Sequence, residues 1–157
     1  MTATHEAGGG AARVDAPHID HLGIIVADLE QAIARLAPLF GAPSRRRELA
    51  EVGLRVAEFD AANIVIELLQ YTEAGTGFAR RVMGDRLGLN HLSARVADVE
   101  RSVAELGASG FAPMEGFPRQ GAHGRVAFFE PDAVTGLLFE VCQPDGDAGA
   151  AATSPSP

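Results

Sequence analysis

The chain has 157 residues, 46% of them hydrophobic and 22% charged, a balance that supports one packed domain, or two small modules sharing a core, and excludes a disordered chain. Against 13 Lys plus Arg stand 21 Asp plus Glu, for a formal charge of -8, which argues against a broad surface for nucleic-acid phosphates. Every basic residue is Arg, so Schiff-base chemistry on Lys and a P-loop phosphate clamp are also excluded.

The first 16 residues and the stretch from Asp145 to Pro157 are rich in Gly, Ala, Ser and Pro without apolar periodicity, and are expected to be disordered tails. A single domain is expected over 17–144. It opens with an apolar run of strand length from about Ile19, which passes Asp28 into a helical segment from Leu29 to Phe40. Asp before a helix is a good N-cap, because its carboxylate accepts a hydrogen bond from an unpaired first-turn amide. The helix closes at Gly41-Ala-Pro43, and strand-like runs follow at 44–49, 53–59 and 63–70.

The order then repeats. His21-Leu-Gly-Ile-Ile-Val-Ala-Asp-Leu-Glu30 returns 70 residues later as His91-Leu-Ser-Ala-Arg-Val-Ala-Asp-Val-Glu100. Asp98 caps a second helix from Val99 to Leu106, a turn from Gly110 to Pro113 ends it, and strands are expected at 112–117, 124–130 and 136–143. Each half reads strand, helix, strand, strand, strand: module one over about 17–72, module two over about 88–144. Neither half can cover its own sheet face, so the two are expected to pack about a pseudo-twofold axis into one α+β cup.

Symmetric packing converges residues at matching positions. His21 and His91 are one such pair, and Glu67 and Glu140, each within an apolar final strand, are the other. A carboxylate in an apolar strand is costly to bury unless a cation compensates it. Two imidazoles and two carboxylates suit one divalent first-row ion: Co, Zn, Mn, Ni or Fe. His5 lies in the tail, His18 precedes the first strand, and His123 sits in the Gly121-Ala-His-Gly124 turn. Arg95 shares the face of His91, where it could meet an anionic substrate group or an ion-pair partner. The run Arg45-Arg-Arg47 reads as a solvated strand, because alternating side chains cannot all aim at one ligand. Cys142, the lone cysteine, cannot form an intramolecular disulfide and reads as a small buried hydrophobe. No apolar run has the length of a membrane span or signal-peptide core, so a cytoplasmic protein without membrane or nucleic-acid partners is expected.

Ile19-Asp-His-Leu-Gly-Ile-Ile-Val, Gly88-Leu-Asn-His-Leu, Gly121-Ala-His-Gly-Arg-Val-Ala-Phe-Phe-Glu-Pro131 and Gly136-Leu-Leu-Phe-Glu-Val resemble the vicinal oxygen chelate superfamily (glyoxalase, bleomycin resistance, dioxygenase), and within it methylmalonyl-CoA epimerase-like proteins. The resemblance covers about Ile19 to Gln143. It implies paired βαβββ modules, a metal bound by His21, Glu67, His91 and Glu140, and a small-molecule substrate, an acyl-CoA thioester or a small ketone or acid. It further implies proton abstraction alpha to a carbonyl through an enediolate, with Glu140 as one base and Glu51 (or, less favoured, Glu48) as the other, Arg95 and His123 as substrate contacts, and a homodimer. Two positions depart from the family pattern: Asn90 stands where a first histidine is usual, and Val52 where a Gln or His precedes the Gly. A glyoxalase-I-like lyase, a sugar or cyclitol ketone epimerase, and a non-catalytic resistance-type binding protein are the alternatives on the same fold.

Overall fold

Asp28 and Asp98 cap their helices as their positions predict. Both are extended, with φ of -139° and -146°, and each carboxylate accepts the amide N–H three residues on, from Gln31 and Arg101, at 2.9 Å. They start helices α1 (Leu29–Phe40) and α3 (Val99–Ala108). A second device recurs beside them. The side-chain oxygens of Gln70 and Gln143 accept the N–H of Leu29 at 3.1 Å and of Val99 at 3.0 Å. Each helix start is thereby tied to the strand that carries its module's buried glutamate, in a computed structural model that describes residues 17–146. The expected tail at 1–16, and 147–157 of the other, lie outside those residues.

The strands are β1 (Ile19–Ile25), β2 (Arg45–Leu49), β3 (Leu54–Asp60), β4 (Val65–Tyr71), β5 (Gly88–Arg95), β6 (Arg119–Gln120), β7 (Gly124–Phe129) and β8 (Leu138–Pro144). They form one sheet in the order β2-β3-β4-β1-β5-β8-β7-β6. At its centre β1 and β5 run antiparallel with Leu22 opposite Leu92, while β1 is parallel to β4 and β5 to β8. The two modules are therefore related about the β1–β5 pair, as the repeat predicts.

Strand alternation divides the apolar residues between two faces. On β3, Ala57 and Phe59 pack with Leu29 and Leu68 beneath α1, while Leu54 and Val56 join Ile25, Leu69 and Ala79 on the concave side. Val99, Ala127, Phe129 and Val141 form the corresponding layer beneath α3. Such side chains contribute about 1.5–3 kcal/mol each when fully buried. Cys142 is buried, as expected, and burial pushes its thiol pKa up.

Two stretches differ from expectation. The strand expected at 112–117 is absent: Pro113 and Pro118 have no N–H to donate, and Gly116 turns the chain at φ 88°. Only a single bridge, Pro113 to Phe129, and the two-residue β6 remain. A short helix, α2 (Phe78–Met83), and a 3-10 turn over Ala50–Val52 were not expected, since neither is long enough to show a period. Helix α2 matters to the site, because Phe78, Ala79 and Met83 line the concave cleft.

Candidate metal centre

The four residues expected to converge do so. His21 on β1, Glu67 on β4, His91 on β5 and Glu140 on β8 are all buried on the four central strands. His21 Nε2 lies 3.3 Å from His91 Nε2, 3.2 Å from Glu140 Oε1 and 3.7 Å from Glu67 Oε2, which is 3.9 Å from His91 Nε2. Donors that share one ion at bonds of about 2.0–2.2 Å have this order of mutual spacing.

The chemistry of the imidazoles fits a cation as well. His21 Nδ1 bonds Asp20 Oδ2 at 2.9 Å and His91 Nδ1 bonds Asn90 Oδ1 at 3.0 Å. A ring that donates through Nδ1 presents an Nε2 lone pair, so these partners turn two lone pairs toward one point. Gly23 makes the approach feasible: a Cβ there would lie 2.1 Å from His91 Cε1. His21, Glu67 and His123 form a second, overlapping group of potential ligands beside His21, His91 and Glu140.

Around these donors lies a shell of supporting contacts. Asp20 also accepts from Arg95 Nε at 3.0 Å, and the Ser93 hydroxyl donates to Glu140 Oε1 at 2.6 Å. His123 Nε2 donates to Glu67 Oε1 at 2.9 Å, and its ring stacks on His21 with centroids 4.8 Å apart. Burial opposes charge at Asp20, but the bond and charge of His21, with Arg95, hold its carboxyl down to about 2. Burial likewise opposes charge at Glu67, and His21, His123 and His91 outweigh it, lowering that carboxyl to about 2. His21 is raised well above its ordinary value, since Glu67, Asp20 and Glu140 overcome its burial. His91 goes the other way because burial prevails there.

The centre lines a cleft of about 80 Å³ that is open to solvent. Its walls are mainly apolar and include Leu49, Val52, Leu54, Phe78, Met83, Phe117, Val126 and Phe128. Arg119 is the only guanidinium on the lining among the described residues, and it lies 4.2 Å over the Phe78 ring.

The remaining expected site residues divide. His123 reaches the cleft lining, so its turn presents it inward. Arg95 does not line the cleft; it is half-exposed and ion-paired to Asp20, behind His21. Glu51 is exposed on the 3-10 turn and is not among the lining residues, although Leu49 and Val52 on either side are. Its backbone carbonyl accepts from the Thr76 amide at 3.0 Å and hydroxyl at 3.3 Å, which fixes the turn with the side chain outward. Asn90, where the family pattern has a histidine, reaches back to His91 and donates to the Met83 carbonyl at 2.8 Å.

Sequence reasoning missed Glu58. It is 2% exposed and pairs in register with Glu67 across β3 and β4. The signal was present: alternation through Leu54, Val56 and Glu58 puts a carboxylate on an apolar face, the same pattern that singles out Glu67. Asp20 and Asn90 were also legible as polar residues preceding each repeated histidine.

A profile of the Glyoxalase/Bleomycin resistance protein/Dioxygenase superfamily matches residues 20–129. The uncharacterized protein YqjC of Bacillus subtilis (strain 168) is 28% identical over 131 residues, spanning 82% of this chain and 94% of its own. Among solved structures, methylmalonyl-CoA epimerase from Mycobacterium tuberculosis is 25% identical with a TM-score of 0.70, covering 85% of this chain and 92% of its own. A Streptomyces coelicolor methylmalonyl-CoA epimerase variant in complex with 2-nitronate-propionyl-CoA is 24% identical with a TM-score of 0.70, covering 83% and 96%.

Proposed function

The chain belongs to the glyoxalase/bleomycin resistance protein/dioxygenase superfamily, and we propose that it is a divalent-metal-dependent epimerase that moves a proton on the carbon next to a thioester carbonyl. The observation that carries this reading is the buried meeting of two Nε2 atoms and two carboxylates at the base of an apolar cleft. His21, Glu67, His91 and Glu140 would hold the cation. When bound, it supplies Lewis acidity toward the substrate carbonyl, which makes the adjacent C–H more acidic.

The chain's own residues do the rest. Glu140, steadied by the Ser93 hydroxyl, takes the proton on one face of the substrate. Glu51, exposed and outside the cleft lining, is not assigned as a base. Phe78, Met83, Phe117 and Phe128 keep water from the carbanionic intermediate. Arg119 meets an anionic group of the substrate, and His123 of the same module contacts it beside the metal ligands. An acyl-CoA substrate is supported by the acyl-CoA analogue held in the Streptomyces coelicolor structure.

The test is solvent exchange. Protein loaded with Co2+ and incubated with methylmalonyl-CoA in D2O is expected to incorporate deuterium at the α-carbon, read by mass spectrometry. Glu140→Gln should slow exchange by about 10²–10⁴-fold. Glu51→Gln, outside the cleft lining, should exchange as the parent does. Absence of exchange, or a Glu140→Gln variant as active as its parent, overturns the proposal.

A further inference from the structure

Glu58, on the same sheet face as Glu67, is a buried carboxylate that the proposed reaction does not use. Its Oε2 accepts from Arg45 Nη1 at 3.0 Å, on the outer edge of the sheet. Its Oε1 is buried and has no hydrogen-bond partner among the described residues. His123 Nε2 stands 3.6 Å from that oxygen. A buried carboxylate oxygen without a protein donor is costly, so a position that keeps one invites a reason beyond packing.

The repeat supplies a control. Glu58 pairs in register with Glu67, and the corresponding pair in module two is Phe128 with Glu140. An aromatic ring is therefore sufficient to back a ligand glutamate in this architecture, and module one carries a charge instead. Like charges directly opposite on one sheet face repel. The group that lies by both is His123, which crosses from module two and sets its Nε2–H at 2.9 Å from Glu67 Oε1 and 3.6 Å from Glu58 Oε1. Glu67 has its other oxygen, Oε2, turned to His21 and His91.

We infer that Glu58 and His123 are positioning residues for the metal centre: His123, with Glu58 beside it, engages Glu67 Oε1, so that Glu67 would meet a cation through Oε2 alone. The inference rests on the metal-binding reading above and refines it, because a one-oxygen carboxylate leaves a coordination position for substrate that a two-oxygen carboxylate would fill. His123 does this by donating a hydrogen bond, and Glu58 by placing its Oε1 3.6 Å from the same Nε2. Outer-shell partners of this kind change metal affinity by about 10–100-fold when removed.

Co2+ titration of the apoprotein, followed by calorimetry and by the visible d–d spectrum, tests it without reference to turnover. The d–d band intensity reports coordination number, which a merely structural role would leave unchanged. His123→Ala and Glu58→Gln are each expected to weaken Co2+ binding by about 10–100-fold and to lower the band intensity as Glu67 closes onto the ion with both oxygens. His123→Gln, which keeps a side-chain N–H, should restore most of the affinity and the parent spectrum. Thermal melting of the apo variants establishes that each is folded; if Glu58→Gln is not, the two His123 variants carry the test. Parent affinity and spectrum in His123→Ala overturn the inference. A parent protein that binds no Co2+ removes the metal-binding reading and this inference with it, and is a different result from the first.

Discussion

The two modules place the same ligand pair on the same backbone and then support it by different means. In module one His21 is fixed by Asp20, a charged group backed by Arg95; in module two His91 is fixed by Asn90, a neutral amide backed by a backbone carbonyl. Glu67 is backed by Glu58 and His123, whereas Glu140 is backed by Phe128 and the Ser93 hydroxyl. Opposite Gly23, which gives room to the His91 ring, the repeat has Ser93, which donates to Glu140. The ligand and capping positions match between copies, while the positions behind the ligands have diverged. Chemical asymmetry follows: His21, with Glu67, Asp20 and Glu140 against it, has a raised pKa, and His91, where burial prevails, a lowered one.

The largest effect expected on this comparison comes from making Gly23 less permissive. Gly23→Ala puts a methyl group where it collides with the His91 ring, and should weaken Co2+ binding by about 100-fold, the upper range for disturbing a ligand's support. Calorimetric titration that finds parent affinity would show that His91 does not need this geometry.

Exchanging the supports should give a smaller and unequal pair of effects. Asp20→Asn is expected to weaken Co2+ binding by about tenfold, and Asn90→Ala by less, since only the first removes a charge. The same substitution changes acid stability. Asp20 has a folded pKa of about 2, below its ordinary 3.8, so its contribution to apoprotein stability is present above pH 3.8 and is lost as pH falls toward 2. Asp20→Asn should remove that part of the acid limb, measured by melting the apoprotein across this range; an unchanged limb would dissociate Asp20 from it.

The smallest effect concerns what the modules share. Asp28→Ala and Asp98→Ala should each destabilise the protein by about 1 kcal/mol, and by similar amounts, because the two caps have the same geometry. Urea unfolding that finds one of them silent would show that the modules are not equally dependent on their caps.

Much of this architecture was legible from the chain. The repeat pointed to two related halves of one sheet, Asp28 and Asp98 marked both helix starts, and His21, His91, Glu67 and Glu140 stood out because repetition and alternation act on neighbours in sequence. The failures share a cause. The 112–117 strand was lost to two prolines and a glycine turn, and α2 is too short to carry a period.

Residues by themselves determined that this is a two-module α+β protein with two His/Glu pairs able to meet. Only the tertiary structure decided which groups stand behind them. It took Arg95 to Asp20, left Glu51 exposed, drew His123 from a surface-looking turn into the cup, and set Glu58 against Glu67. The physical reason is range: strand alternation and helix capping are decided within a few residues, whereas a hydrogen bond between β4 and the turn before β7 exists only after the two modules have closed about the β1–β5 pair.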